Sequence, residues 1–274
     1  MRPDPERTAL NNQFVASVPD LAAFVSSRED LAAARAAWAA DPAPAPTLTK
    51  PDTSPRILAH AIYGERYPTR ASRTAAVARL PYQRAHFTEV RSDQGQDFLF
   101  VRRPKFYLGG YFGTRRATRL ARTGLTFLWH PVAGTVVQSM NNNDHACWAT
   151  VLPGQRPDSD GAQQVELLGG EPYRFRYRSA EVVTEVTVGD RIVRTVHASG
   201  PATEQIPLVV KDSDDVALDA RGLTLTRGRV RLRFDWGQPL VPALRTASSI
   251  SYPGRRMRIL TVPHDGDLTV TVST

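Results

Sequence analysis

Glu181-Val-Val-Thr-Glu-Val-Thr-Val-Gly-Asp-Arg-Ile-Val-Arg-Thr-Val-His197 alternates apolar and polar residues on both sides of Gly189-Asp190. A period of two marks a strand with one buried face. A Gly-Asp dipeptide between two such runs suits a two-residue primed hairpin turn. Pairing outward from that turn sets Val186 opposite Val193, and Glu185 opposite Arg194 as a favourable cross-strand charge pair. His197 then shares a face with Val182, Val186 and Val193, a position in the core or at its rim.

The same pattern continues on both sides of this hairpin. A second hairpin turns at Arg227-Gly228, with Leu223, Leu225, Val230, Leu232 and Phe234 on one face and Thr224, Thr226, Arg229, Arg231 and Arg233 on the other. One dry and one wet face is what an antiparallel sheet allows. Met257–Val262 and Leu268–Val272, joined by His264-Asp-Gly-Asp267, read as a third hairpin. Upstream, Phe98–Val101, Phe106–Leu108, Leu125–Trp129 and Thr135–Ser139 are rich in β-branched and aromatic residues and bounded by Gly and Pro. About a dozen strands with no helix between them exclude βαβ architecture. They predict a large antiparallel β-sandwich over residues 91–274.

Residues 1–90 differ. Asp20 caps a helical segment from Leu21, Glu29–Ala40 carries Leu31, Ala34, Ala37 and Trp38 on one side, and short helices are expected over Ile57–Tyr63 and Thr74–Leu80. Between them, Asp41-Pro-Ala-Pro-Ala-Pro46 stops any helix and reads as an extended linker. This part is a short helical and linker segment ahead of the sandwich.

The chain has 274 residues, enough to bury a sizeable core. No run approaches the roughly 20 apolar residues of a membrane-spanning helix. The single cysteine, Cys147, excludes an internal disulfide and a multi-cysteine zinc site. Met1–Asn11 holds Asp4, Glu6 and two prolines without an apolar centre, unlike a signal peptide. A cytoplasmic protein and a piece of a longer exported one are both open. The formal net charge is +8, and only three of the 35 basic residues are lysine. From Phe98 to Asn143 there is no acidic residue, while Arg102, Arg103, Lys105, Arg115, Arg116, Arg119 and Arg122 all fall there. Guanidinium groups bind carboxylate, sulfate or phosphate through paired hydrogen bonds, so a polyanionic partner is expected.

Nucleophile-elbow, zincin, Walker and kinase motifs are absent from the sequence. Gly109-Gly-Tyr-Phe-Gly113 is only loosely like a phosphate loop; lying between strands with no helix after it, it reads as a bend or bulge. His130 ends an apolar strand and suits a turn. His145 and Asp144 would need a distant third ligand, His130 or His264, to hold a metal, and no spacing requires one. No metal or cofactor is expected. Trp129, Trp148, Tyr107 and Tyr111 offer flat apolar faces for sugar rings, with Trp148 expected to be exposed, and Asn141, Asn142 and Asn143 offer donors and acceptors for hydroxyls.

Phe100-Val-Arg-Arg103, Lys105-Phe-Tyr-Leu-Gly-Gly-Tyr111 and Gly124-Leu-Thr-Phe-Leu-Trp-His-Pro-Val-Ala-Gly-Thr-Val-Val-Gln-Ser139 resemble the β-sandwich half of heparinase II/III-type polysaccharide lyases. The resemblance covers Phe98–Val151, about a fifth of the chain. In that family an (α/α) toroid precedes a β-supersandwich, and acidic polysaccharide is cleaved by β-elimination between them. The resemblance implies an acidic polysaccharide as partner, and a helical toroid or companion chain beside the sandwich. Residues 1–90 are too short for the toroid, and the family's His-rich segment at the start of the sandwich has no equivalent. No catalytic residue is carried over, and whether the chain is itself an enzyme is left open.

By residue type alone, elimination needs a group to neutralise the uronate carboxylate, a base and an acid. His130, His145, Tyr107 and Tyr111 are the candidates for proton transfer. Arg102, Arg103, Arg115, Arg116, Asn141, Asn142, Asn143 and Trp148 are the candidates for substrate binding. The alternatives are a carbohydrate-binding or scaffold module without chemistry, and nucleic-acid binding through the basic 98–143 stretch. The last is less favoured because no recognised module is present.

Overall fold

The computed structural model describes residues 84–93, 95–113, 123–139, 145–160, 163–179, 181–252 and 254–274. The helices expected before residue 81 and the Asp41–Pro46 linker lie outside them. The described residues form two antiparallel sheets and almost no helix. The larger, nine-stranded sheet runs β1 (Phe87–Asp93), β2 (Gln96–Arg102), β3 (Tyr107–Gly113), β4 (Gly124–His130), β5 (Gly134–Gln138), β11 (Pro201–Lys211), β16 (Arg255–Asp265) and β15 (Ala243–Tyr252). The short β6 (Ala149–Val151) also pairs with β11. The eight-stranded sheet runs β12 (Asp215–Asp219), β13 (Gly222–Arg227), β14 (Val230–Asp235), β17 (Leu268–Ser273), β10 (Ile192–His197), β9 (Val183–Val188), β8 (Tyr173–Arg178) and β7 (Gln164–Gly169). The expected β-sandwich is what forms, with more strands than the sequence pattern marks. No helix among the described residues is long and apolar enough to cross a membrane.

One core lies between the sheets. Leu99, Val101, Leu108, Phe112 and Leu128 from the larger sheet meet Phe175, Val186, Ile192, Leu232 and Val270 from the smaller one, all fully buried. Phe112 spans the layers, with ring centroids 5.9 Å from Phe175 and 5.1 Å from Tyr177. Side chains on a strand point alternately to its two faces, so register decides which residues reach this core.

In the 181–197 hairpin the register differs from the one the turn dipeptide suggests. Arg194 pairs with Val186, and Thr195 with Glu185. The connection has three residues, Gly189 to Arg191, closed by the Gly189 amide donating to the Arg191 carbonyl at 3.0 Å. Neither Gly189 nor Asp190 has the positive φ a primed turn requires. One extra loop residue swaps the faces of one strand relative to the other. Arg194 thus turns into the core beside Val186, while Glu185 stays outside within 3.7 Å of Arg176. His197 points outward and meets Asp267 at 2.8 Å instead of lying with the valines.

The second hairpin turns at Gly228-Arg229, one residue later than expected, with Arg227 opposite Val230. The loop still has two residues, so the expected faces hold: Leu223, Leu225, Val230, Leu232 and Phe234 are all buried. The third expected hairpin does not form. β16 pairs with β11 and β15, whereas β17 pairs with β10 and β14 in the other sheet. After Asp265 the chain crosses between layers, beside a second crossing at Ala198–Gly200 that runs the opposite way, and the Gly266 amide donates to the Gly200 carbonyl at 3.1 Å to join them. Gly109–Gly113 lies within β3, with a register shift at Gly109/Gly110 that is the expected bulge.

Candidate functional site

Leu99 and Val101 of β2 point into the core, which sends Phe98, Phe100 and Arg102 to the opposite face of the larger sheet. Register then sets Phe98 beside Tyr111, Phe100 beside Gly109 and Arg102 beside Tyr107, and in the next strand Tyr107 beside Trp129 and Gly109 beside Phe127. The six rings are half-buried. Phe98 and Tyr111 lie 5.0 Å apart, Phe100 and Tyr107 6.5 Å, and Tyr107 meets Phe127 edge-on at 5.1 Å. The Arg102 guanidinium lies 5.5 Å from the Trp129 ring centre, close enough for a cation–π contact. Gly109 makes room for this arrangement: a Cβ there would stand 2.2 Å from Phe127 Cε1. Burial, helped by the Glu89 carboxylate, pushes the Tyr107 phenol up to about 12, so it stays protonated. Three of the sequence-predicted rings, Tyr107, Tyr111 and Trp129, come together on this outer face, and Arg102 lies among them, itself buried with Nη1 donating to the Phe106 carbonyl at 3.4 Å.

The others do not join them. Arg103 is buried and held by hydrogen bonds within the protein. Its Nε donates to Glu171 at 3.0 Å and its Nη1 to the Arg102 and Phe87 carbonyls and the Thr88 hydroxyl, with the Tyr173 ring 5.8 Å away. His130 is buried with Nδ1 accepting the Val132 and Ala133 amides, both at 3.1 Å. Burial and the nearby Arg102 and Lys105 hold its pKa below the ordinary range. It organises its turn, as its place at a strand end suggests. His145 is exposed, with a positive φ of 48°, and its carbonyl accepts from Gln205 Nε2 and the Cys147 amide. Trp148, expected at the surface, is instead 1% exposed. Neighbouring asparagines suggested solvent, but Trp148 bridges to Leu125 beside β4 and its indole N–H finds a buried acceptor. Arg115, Arg116, Asn141, Asn142 and Asn143 lie outside the described residues, as does Asp144. No group of three metal-ligating side chains occurs among the described residues.

That buried acceptor belongs to a cluster that sequence reasoning missed. Arg194 of β10 and Glu204 of β11 form an ion pair between the two sheets, both side chains 0% exposed. The Trp148 indole donates to Glu204 Oε1 at 2.9 Å and the Thr150 hydroxyl to Oε2 at 3.1 Å. Arg194 donates from Nε to the Tyr177 hydroxyl and from Nη2 to the Thr150 hydroxyl, each at 3.3 Å. Asp158 enters from a single 3-10 turn, Asp158–Asp160, to accept the Thr150 amide at 3.1 Å. A lone glutamate within the otherwise mostly apolar Ala202–Val210 run was the available signal. Without the register it cannot be matched to an arginine.

No family model matches the sequence, and no curated protein matches it. Among solved structures, the sandwich is similar to a heparan sulfate lyase from Pedobacter heparinus at 8% identity and TM-score 0.48, covering 80% of this chain and 41% of the lyase. It is similar also to a second heparinase III, at 11% identity and TM-score 0.46, over 78% of this chain and 40% of that one. A 4-alpha-glucanotransferase from Thermococcus litoralis gives 9% identity and TM-score 0.44, over 74% and 43%. The likeness is one of fold. This chain spans about two-fifths of the length of both lyases.

Proposed function

We propose that this chain is a polysaccharide-lyase-like β-sandwich that binds an acidic polysaccharide on the outer face of its larger sheet. The observation that supports it is the set of rings on Phe98, Phe100, Tyr107, Tyr111, Phe127 and Trp129, turned away from the core and only half-buried. A sandwich with a complete core does not need six aromatic residues on its other face, whereas pyranose rings stack on such surfaces. Arg102, buried against Trp129, adds positive charge beneath that face. The resemblance of Phe98–Val151 to heparinase II/III-type lyases supports the same partner. In elimination chemistry Tyr107, protonated up to about 12, is suited to give a proton to a leaving oxygen and poorly suited to take one from carbon. Binding is therefore the primary role proposed, and any contribution to cleavage is that of an acid.

The test is calorimetric titration of the whole chain with uronate-containing, sulfated and neutral polysaccharides and with duplex DNA, alongside ultraviolet absorbance for unsaturated uronate. The expected result is binding of the acidic glycans, weakened about fivefold to tenfold by Tyr107→Ala or Trp129→Ala. Binding unaffected by both substitutions, or stronger binding to DNA at every salt concentration, overturns the proposal.

A further inference from the structure

The interior end of Arg194 pairs with the Glu204 carboxyl, and a second carboxyl, that of Asp158, lies near enough to feel its charge. Glu204 is well supplied with donors: the Arg194 guanidinium, the Trp148 indole at 2.9 Å and the Thr150 hydroxyl at 3.1 Å. Asp158 is not. Its Oδ1 accepts the Thr150 amide at 3.1 Å and the Ser159 amide also lies against the carboxyl, but its Oδ2 is enclosed without a hydrogen-bond partner among the described residues. Thr150 thus joins the two acids, giving its amide to one and its hydroxyl to the other.

The remaining titratable groups facing the cluster are Tyr177 on β8 and His264 on β16. Burial pushes the Tyr177 phenol up to about 12 and holds it neutral. Burial pushes His264 below the ordinary imidazole range, and its Nδ1 lies 2.8 Å from the Gly266 carbonyl. Asp265 and Asp267, on the far side of His264, are exposed. With both acids ionised, the enclosed charges are one cation and two anions. A buried charge without a counter-charge is far costlier than a buried neutral acid. An ionised carboxylate also needs donors on both oxygens more than a neutral acid does.

We infer that this cluster holds one carboxyl proton into the neutral range, and that the proton sits on Oδ2 of Asp158, leaving Arg194 balanced by Glu204 alone. Burial lifts both carboxyls above their ordinary range, Glu204 the further of the two, in keeping with a retained proton; the poorer supply of donors is what places it on Asp158. The location has a structural consequence. The Asp158 carbonyl accepts from Gln163 Nε2 at 3.2 Å, and the Ser159 carbonyl accepts from the Thr123 amide at 3.1 Å and its hydroxyl at 3.2 Å. Gln163 in turn exchanges backbone hydrogen bonds with Gly113 at 2.8 and 3.1 Å. Loss of the proton places a second negative charge at the root of the segment that ties down Gly113 and Thr123.

Carbon-13 NMR of the side-chain carboxyls in the whole chain, from mildly acid to mildly alkaline pH, tests this directly. The expected result is an Asp158 signal that keeps its protonated position well above the ordinary aspartate range, while Glu204 is already ionised. Hydrogen exchange at the Gly113 and Thr123 amides, corrected for its intrinsic pH dependence, should speed up as Asp158 titrates. Asp158→Asn, a permanently neutral isostere, should leave the neutral-pH denaturation midpoint near wild type and keep those amides protected at alkaline pH; Glu204→Gln should lower the midpoint. Asp158 ionising in the ordinary range, Glu204 titrating last, or Asp158→Asn lowering the midpoint as far as Glu204→Gln each overturns the inference. The wild-type titration decides it even if Asp158→Asn does not fold.

Discussion

Arg194 and Glu204 sit only ten positions apart in the chain, yet they meet across the sandwich, on strands of opposite sheets and out of reach of water. The pair ties the layers where the chain crosses from β10 to β11. Breaking a buried pair by removing one partner leaves an uncompensated charge, which costs about 3–5 kcal/mol. Glu204→Gln and Arg194→Met should each destabilise the fold by that order in urea denaturation. The double variant should cost less than the sum of the two by about 2 kcal/mol. Strict additivity would mean that the two side chains do not interact.

A second arginine ties the layers from the other side. Arg227 of β13 pairs with the buried Asp214 and donates to the carbonyls of Ala133 at 2.7 Å, Thr135 at 2.8 Å and Val209 at 2.6 Å. Lysine keeps the charge but cannot reproduce the planar fork. Arg227→Lys should leave two or more of these acceptors unsatisfied, at about 1–3 kcal/mol for each such buried group. A denaturation midpoint equal to wild type would show that the fork geometry is dispensable.

His130 makes stability depend on acid. Its ring is buried with a lowered pKa, and Nδ1 accepts two amides, so protonation there breaks both hydrogen bonds. A depressed imidazole contributes its stabilisation fully above its unfolded value, about 6.5, and loses it as pH falls through the folded value. His130→Asn, whose side-chain oxygen accepts without titrating, should shrink the loss of stability below about pH 6.5. Denaturation curves of the two proteins across the acid range provide the check, and parallel curves would assign the acid sensitivity elsewhere.

Gly109 links the core to the aromatic face. A methyl group there would meet Phe127 at 2.2 Å, so Gly109→Ala must displace that ring. The expected cost is about 1–3 kcal/mol, with a fall in polysaccharide affinity, since Phe127 packs against Tyr107 at 5.1 Å. Unchanged stability, measured by thermal unfolding, would show that the ring moves freely.

The strands were legible in the sequence because alternation is local. β9, β10, β13 and β14 each carry it, β2 and β4 show instead as runs of β-branched and aromatic residues, and the glycine bulge in β3 follows from residue type. The outer aromatic face was partly legible, since Tyr107, Tyr111 and Trp129 stand in those strands. Parity was not. In the 223–234 hairpin the turn moved by one residue but kept its length, and every side chain stayed on its expected face. In the 181–197 hairpin the loop gained one residue, and Arg194 went from the surface to the interior.

Local alternation therefore determined that this protein is built of strands with one dry face, because apolar residues at every second position can be buried no other way. Only the tertiary structure decided which charges those strands carry inward. A hairpin's register depends on loop length and on what the opposite sheet offers, and Glu204 becomes a partner for Arg194 only once the two layers close.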